Sequence, residues 1–284
     1  MSDMSFRRHR APHEANAPIY ALHSSASNGG QWKAMAQDLA MFRRVATPDL
    51  PGCGKAPWTR GKGLTGLAAD ADPIVRLMEA EGRPAHLVGH SYGGAVALWI
   101  AMNRPELVMS LSIFEPALFH ILRDSERSGD RRLYAEITAV SSQLTAATSS
   151  GRPDLGMRRF VDYWNGEGAW MAMSPEARER MAGMALRVMA DFAAGEQERW
   201  TLDALRHLTV PTQVMLGLDS HALTQRVAIM VAGAIPGAAL VMLPGVDHMA
   251  PVSDPRSVTP RVALHAATAE RDFAKRIRAL PPAA

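Results

Sequence analysis

The stretch Leu87-Val88-Gly89-His90-Ser91-Tyr92-Gly93-Gly94 decides the fold, because it sets a G-x-S-x-G pentapeptide between two apolar runs. Ala85–Gly89 is typical of a buried β-strand, and Gly93–Arg104 of the helix after it. A serine at such a strand-to-helix turn has a strained backbone, and its hydroxyl projects above the sheet. The flanking glycines relieve the crowding, and the helix N-terminus stabilises developing negative charge. The stretch therefore predicts that Ser91 is a nucleophile.

Short β-like runs alternate with helical patterns on both sides of this turn. We predict strands over Pro18–His23, Arg44–Thr47, Ala85–Gly89, Val108–Phe114, Thr212–Leu216 and Ala239–Leu243. This alternation is typical of βαβ units around a mostly parallel sheet. Between Ala117 and His207 the strand signals stop, and apolar residues recur at helical spacing instead. The predicted organisation is an N-terminal segment over 1–17, an α/β core over 18–116 and 208–284, and a helical insertion over 117–207.

The composition fits one soluble globular domain with an insertion. The chain has 284 residues, of which 47% are apolar and 21% charged, so wholesale disorder and fibrous repeats are excluded. Apolar runs such as Ala95–Met102 are far shorter than the ~18–20 residues that cross a bilayer, so no membrane partner is predicted. Residues 1–17 have no apolar core of the secretory type, which favours a cytoplasmic location.

Charge and cysteine content exclude several kinds of partner. The net charge of +3 is small, and no cluster of lysine and arginine beyond Arg7–Arg10 supports nucleic-acid binding. Cys53 is the single cysteine, which excludes an intramolecular disulfide and a zinc site built from cysteines. We therefore predict no metal site and no nucleic-acid partner, and the sequence leaves the oligomeric state open.

A nucleophilic serine needs a base, and one late histidine is well placed to be that base. The stretch Leu243-Pro244-Gly245-Val246-Asp247-His248-Met249-Ala250-Pro251 puts His248 on the loop after the last predicted strand. Among the ten histidines, His248 alone combines that loop with a preceding glycine. We predict that it takes the proton of Ser91.

Four motifs in this order resemble the α/β-hydrolase family. They are His23-Ser24-Ser25 followed by Trp32, Asp49-Leu50-Pro51-Gly52-Cys53-Gly54, the Gly89–Gly93 serine turn and the Gly245–Pro251 histidine loop. The resemblance implies a mostly parallel central sheet flanked by helices, with the insertion over 117–207 as a helical cap before the penultimate strand. The leading β-hairpin is expected to be shortened or absent, because few residues precede the first motif.

The resemblance also implies an oxyanion hole, which is a pair of N–H donors for the negatively charged oxygen of the reaction. By position these donors are the backbone N–H groups of Ser25 and Tyr92. Ser24 stands where the family usually has glycine. The backbone at this position must therefore adopt its conformation without the wider range of φ and ψ angles that glycine allows.

Two positions compete for the acid that orients the histidine. The family commonly has its acid in a turn after the penultimate strand, where Gly217-Leu218-Asp219-Ser220 puts Asp219 one residue early. Other members use the end of the strand after the serine helix, where Glu115 stands in Ile113-Phe114-Glu115-Pro116. Packing alone does not account well for a glutamate at the end of an apolar strand. We favour Glu115, and Asp219 stays open.

The resemblance implies a cofactor-independent serine hydrolase that acts on a small ester or related acyl compound. Two alternatives stay open: a carbon–carbon bond hydrolase of a diketone or ring-cleavage product, and a ligand-binding protein of the same fold without turnover. The residues predicted to contact substrate are Ser24, Leu118, Phe119, Trp164 and Trp170, and for the aromatic residues of the insertion a place in the core is the competing interpretation.

Overall fold

The computed structural model describes residues 6–9, 16–58 and 66–278, and it contains a seven-stranded sheet in the order β1-β3-β2-β4-β5-β6-β7. The strands are β1 Phe6–His9, β2 Ile19–Leu22, β3 Val45–Pro48, β4 Ala85–His90, β5 Val108–Phe114, β6 Thr212–Gly217 and β7 Ala239–Leu243. Strands β2 to β7 are parallel, and β1 runs antiparallel to β3. The predicted mostly parallel sheet is confirmed.

Helices connect the parallel strands. They are α1 Lys33–Leu39, α2 Gly66–Glu81, α3 Tyr92–Asn103, α4 His120–Arg123, α5 Ser128–Ser149, α6 Pro153–Asn165, α7 Ala169–Ala172, α8 Pro175–Gly183, α9 Ala185–Gln197, α10 Leu202–Leu205, α11 Ala222–Ala234, α12 Ala250–Ser253 and α13 Pro255–Arg278. Two short 3-10 helices cover Gly29–Trp32 and Pro105–Leu107. Helices α4 to α10 all lie between β5 and β6, so this part of the chain is helical as predicted.

Strands β2 to β6 are buried, and because successive side chains point to opposite sides of a sheet, both of their faces are covered. Along β2, Tyr20 and Leu22 belong to one apolar cluster, which also contains residues of α2, α3 and α11. Ile19 and Ala21 belong to the opposite cluster, with residues of α1 and α13. The sheet therefore has helices on both faces, and polar groups gather at the carboxyl ends of its strands.

One leading strand precedes β2 within the described residues. Its register pairs Phe6 with Pro48 and His9 with Val45, which extends the sheet by one antiparallel edge strand. Residues 1–5 and 10–15 of the predicted N-terminal segment lie outside the described residues. The expectation of a shortened or absent leading hairpin therefore stays a prediction, and β1 could not be recognised in a polar segment without clear alternation.

A partly buried ion pair connects the last helix, α13, to the residues beside the sheet. The Glu270 carboxylate accepts hydrogen bonds from both terminal nitrogens of Arg43 at 3.0 and 3.1 Å and from the Ala17 N–H at 2.9 Å. His86 Nε2 lies 3.2 Å from the same carboxylate. Burial acts to raise the pKa of Glu270, but the hydrogen bonds from His86 and Arg43 outweigh it and lower the pKa to about 2.

We expect Glu270→Gln to destabilise the protein by about 1.5–3 kcal/mol near pH 7, the range for hydrogen bonds to a charged group. The folded-state pKa of Glu270 is below the ordinary value of 4.5, so its stabilising effect is complete above that value and decreases as the pH falls toward 2. Urea unfolding near pH 7 and near pH 3.5 measures this effect, with the exposed Asp272→Asn as the control. An equal loss at both pH values would contradict the assignment.

Candidate active site

Ser91 occupies the sharp turn between β4 and α3. Its φ of 53° and ψ of −118° lie in a region that a residue other than glycine rarely adopts. The turn is held by two backbone hydrogen bonds, from the Ser91 N–H to the Phe114 carbonyl and from the Ala117 N–H to the Ser91 carbonyl, both 3.0 Å. Ser91 is therefore fixed against the end of β5 at the start of a helix.

The glycines of the pentapeptide are required by close backbone contacts. A Cβ atom on Gly89 would lie 2.5 Å from the Gly93 carbonyl oxygen. A Cβ atom on Gly93 would lie 2.4 Å from the carbonyl oxygens of both Leu22 and His23. Helix α3 therefore begins in direct contact with the carboxyl end of β2, which brings Ser91 next to the loop that follows β2.

His248 and Glu115 form a buried pair beside this turn. His248 Nδ1 lies 2.7 Å from Glu115 Oε2, and Glu115 Oε1 accepts a hydrogen bond of 2.8 Å from the Gly217 N–H. Glu115 is fully buried and His248 is 3% exposed. Burial acts to raise the pKa of Glu115, but the hydrogen bond and charge of His248 outweigh it and the pKa is lowered. The carboxylate is therefore ionised at neutral pH and can orient the imidazole.

The other two acids near His248 point elsewhere. Asp219 lies in the turn after β6, is exposed, and donates its backbone N–H to the Val246 carbonyl. Asp247 is also exposed, and its carboxylate accepts a hydrogen bond of 2.8 Å from the Met249 N–H. Of these three acidic residues, Glu115 is the one whose carboxylate contacts the imidazole.

Sequence reasoning missed a hydrogen-bond chain that supports the backbone of His248. His90 Nε2 donates to the His248 carbonyl oxygen at 2.8 Å, and Gln31 Nε2 donates to His90 Nδ1 at 3.1 Å. Gln31 Oε1 accepts from both the backbone N–H and the hydroxyl of Ser24. Burial lowers the pKa of His90 well below its ordinary value, so its ring is neutral. A glutamine eight residues after the first motif histidine gave no sequence signal for this role.

The loop after β2 is also held by buried side chains. His23 Nε2 accepts the Leu50 N–H at 3.0 Å, and its Nδ1 donates to the Ser24 carbonyl at 2.8 Å. Asp49 Oδ1 accepts the Gly29 N–H at 2.7 Å, which connects the loop to the turn after β3. Positive φ occurs at Ala26, at 53°, and not at Ser24, so Ser24 stands at the usual glycine position without strain.

Two chambers meet at Ser91. Ser25, Ser91, Phe160 and Trp164 line both of them. The inner chamber is further lined by Tyr92, Phe119, His120, Asp191 and Phe192, and the outer one by Ser24, Met173, Met249 and His248. The cavity volume is about 40 Å³ in the inner chamber and about 380 Å³ in the outer one. The inner chamber is thus much the narrower.

Helix α6 contributes the most direct contact between the helical segment and this site. The Trp164 indole stacks on the His248 ring, with 4.5 Å between ring centroids and 29° between planes. Phe119 stacks on the same indole at 6.3 Å. Leu118 and Trp170, which the sequence also suggested as substrate contacts, are buried in the main apolar cluster and do not line either chamber. For these two residues, packing in the core prevails.

No group of three or more His, Cys, Asp or Glu residues is arranged to hold a metal ion in the described part of the chain. Within those same residues, no helix combines the length and apolar character needed to cross a membrane.

A helix-flanked parallel sheet, with a serine turn after β4 and a histidine loop after β7, defines the architecture of the α/β hydrolases. A model described as the Alpha/beta hydrolase family matches residues 19–261. The chain belongs to this family. A thermophilic esterase from Thermogutta terrifontis has the same fold, with a TM-score of 0.70 and 22% identity over 93% of each chain. MenH from S. aureus superposes with a TM-score of 0.73 and 16% identity, over 93% of this chain and 98% of MenH.

Curated relatives match over a shorter stretch. Lipase LipV of Mycobacterium tuberculosis is 36% identical over 103 residues, which are 36% of this chain and 38% of the lipase. The pimeloyl-(acyl-carrier protein) methyl ester esterase of Aeromonas salmonicida is 37% identical over 93 residues, or 33% of this chain and 35% of the esterase. The match thus spans little more than a third of the length of these relatives.

We expect Gly93→Ala to destabilise the protein by about 1–3 kcal/mol or more, because the added Cβ would meet two backbone carbonyls that cannot easily move. The matched control is Gly233→Ala in α11, where a Cβ has open space and alanine should stabilise by about 0.5–1 kcal/mol. Urea unfolding compares the two variants. A Gly93→Ala variant as stable as the wild type would contradict the close contact of α3 with β2.

Proposed function

We propose that this chain is a serine hydrolase that cleaves a small ester or related acyl compound through an acyl-enzyme on Ser91. The observation that carries the proposal is the 2.7 Å contact between His248 Nδ1 and Glu115 Oε2, next to a serine held in a strained turn. In a catalytic triad, a carboxylate orients a histidine, and the histidine takes the proton of a serine.

The proposed mechanism follows from these roles. Ser91 Oγ attacks the acyl carbon while His248 Nε2 takes its proton, and the Nδ1–H of His248 stays hydrogen-bonded to Glu115. The imidazolium then returns the proton to the departing alcohol, which leaves the acyl group on Ser91. A water molecule, activated by the same imidazole, hydrolyses this acyl-enzyme and restores the serine.

The proposed oxyanion donors are the backbone N–H groups of Ser25 and Tyr92. Tyr92 is the first residue of α3, where a helix leaves its N–H groups without partners in the helix. Ser25 lines both chambers next to Ser91. Two such donors, aimed at the developing charge in a site shielded from water, supply a large part of the rate enhancement in acyl transfer.

We propose that the segment over 117–207 acts as a cap, with the core formed by 18–116 and 208–284. The contact of Trp164 with the imidazole supports this division, since a cap residue then closes the site directly over the base. An apolar cover of this kind excludes water and strengthens the electrostatic interactions beneath it. The names of the curated relatives, a lipase and a methyl ester esterase, favour an ester as the substrate class.

The first test is reaction with a fluorophosphonate probe, followed by mass spectrometry of the labelled peptide. We expect labelling at Ser91 in the wild type and none in Ser91→Ala or His248→Ala, because an unactivated serine reacts slowly. Circular dichroism must show that both variants are folded. A folded wild type that the probe does not label would overturn the proposed function and favour ligand binding without turnover.

The second test separates the two acids. We expect Glu115→Gln to lower kcat for p-nitrophenyl acetate by about 10⁴-fold, the effect of removing the orienting carboxylate from a triad. The matched Asp219→Asn replaces an exposed acid that has no contact with the imidazole and should leave kcat close to the wild-type value. The opposite pattern would assign the acid to Asp219.

A further inference from the structure

The inner chamber contains an acid that neither the fold nor the proposed mechanism uses. Asp191 of α9 is 4% exposed and lines the chamber together with Ser25 and Ser91. Arg187 approaches Asp191 Oδ1 to 2.6 Å, yet neither carboxylate oxygen has an aligned hydrogen-bond donor among the described residues. Asp191 thus has an ion-pair partner in Arg187 and the Ser25 hydroxyl beside it, but no well-aligned hydrogen bond, whereas a buried polar group is normally hydrogen-bonded.

Arg187 is already engaged with another acid. Its two terminal nitrogens donate to Asp70 at 3.0 and 2.7 Å, and the Tyr92 hydroxyl donates to the same carboxylate. One guanidinium therefore serves two buried carboxylates, Asp70 and Asp191. Burial raises the pKa of Asp191 to about 7, although the charge of Arg187 and the neighbouring Ser25 hydroxyl act to lower it. Asp191 is thus left with capacity to accept a hydrogen bond.

The position of His248 determines which part of a substrate reaches Asp191. The base must return its proton to the leaving alcohol, and among the described residues His248 lines the outer chamber but not the inner one. The alcohol therefore leaves through the outer chamber, and the acyl group lies in the inner one beside Tyr92. The inner chamber, with a volume of about 40 Å³, holds only a short acyl group, because a cavity needs about 10–15 Å³ to hold a single water molecule.

The remaining lining restricts the chemistry of that acyl group. Phe119, Phe160 and Phe192 make the chamber largely apolar, and its charged residues within the described chain are Asp191 and Glu196. Lysine and arginine are absent from these described lining residues, and burial keeps His120 neutral by lowering its pKa to about 4, so a carboxylate on the acyl group would meet like charge. A hydroxyl can donate to Asp191 at a smaller desolvation cost than an ammonium group, which would lose its charge hydration.

We infer that the inner chamber selects esters with a short hydroxyacyl group, whose hydroxyl donates a hydrogen bond to Asp191. Asp191 is then a specificity residue of the acyl site. This inference rests on the proposed function, because it places the acyl carbon at Ser91. A site built to accept a hydroxyl discriminates against the analogue that lacks it, since the buried acceptor is then left without a donor.

The test compares 1-naphthyl esters in isosteric pairs: glycolyl against propionyl, and 3-hydroxypropionyl against butyryl. Each ratio of kcat/KM is divided by the ratio of alkaline hydrolysis rates, which removes intrinsic reactivity. At pH 8, above the pKa of Asp191, we expect the wild type to favour at least one hydroxyacyl ester by about 10- to 100-fold, the range for a hydrogen bond to a charged acceptor. A corrected ratio near one for both pairs would overturn the inference.

Variants assign the preference to Asp191. Asp191→Leu keeps the branched shape of the side chain, removes both acceptor oxygens and leaves Arg187 paired with Asp70, and the hydroxyacyl preference should fall about 10-fold or more while turnover of the alkyl esters persists. Glu179→Leu changes an exposed glutamate of α8 in the same way and should leave the ratio unchanged. A retained preference in Asp191→Leu would show that another group selects the hydroxyl. Should this variant not fold, the corrected wild-type ratios decide alone.

Two further outcomes separate this inference from the proposed function. Labelling of Ser91 by the fluorophosphonate together with equal use of each ester pair would overturn the acyl selectivity and leave the hydrolase assignment standing. Absence of labelling and of turnover for every ester would overturn both. A 3-aminopropionyl ester used better than its 3-hydroxypropionyl partner would overturn the choice of a hydroxyl over an ammonium donor.

Discussion

The contact between the start of α3 and the end of β2 sets the geometry on which the rest of the site depends. At Gly93 the two backbones approach so closely that even a methyl group would meet the carbonyl oxygens of Leu22 and His23. This approach holds Ser91 in a left-handed conformation and brings it against the loop that contains Ser25. The strained conformation of the serine persists because the surrounding parallel strands, which are buried on both faces, are stable enough to hold it.

Polar side chains then connect loops that are far apart in sequence. Gln31 and His90 link Ser24 to the carbonyl of His248, and Glu115 links the imidazole to the Gly217 N–H at the end of β6. The bonds of Glu115 and the one from His90 to His248 are buried, and those of Gln31 are partly buried. In such surroundings hydrogen bonds are strong and an unpaired partner is costly. The carboxyl ends of β2, β4, β5 and β6 are thus coupled, and a change at one of them alters the position of the histidine.

Much of this arrangement could be predicted from local patterns. The strand positions and the serine turn follow from apolar runs bounded by glycine, because backbone geometry demands those residue types. The contact of Glu115 with His248 could only be weighed against Asp219, since which acid faces the imidazole depends on where β5 and β6 end relative to each other. The roles of Gln31, His90 and Asp191 had no sequence signal, because each depends on a partner at least 59 residues away in the chain or on a chamber formed by several helices.

The helical segment between β5 and β6 has two effects on the surroundings of Ser91. Its aromatic side chains, with Trp164 on the imidazole, make the surroundings of Ser91 apolar and thereby strengthen each charge nearby. The same segment introduces Arg187 and Asp191, which place two ionised or ionisable groups in that apolar region. Arg187 joins the segment to Asp70 of the core, and Asp70 in turn accepts from the Tyr92 hydroxyl, one residue after the serine. Asp191, the proposed specificity residue, is therefore paired with the same guanidinium that connects the helical segment to Asp70 and, through Asp70, to the residue after the serine.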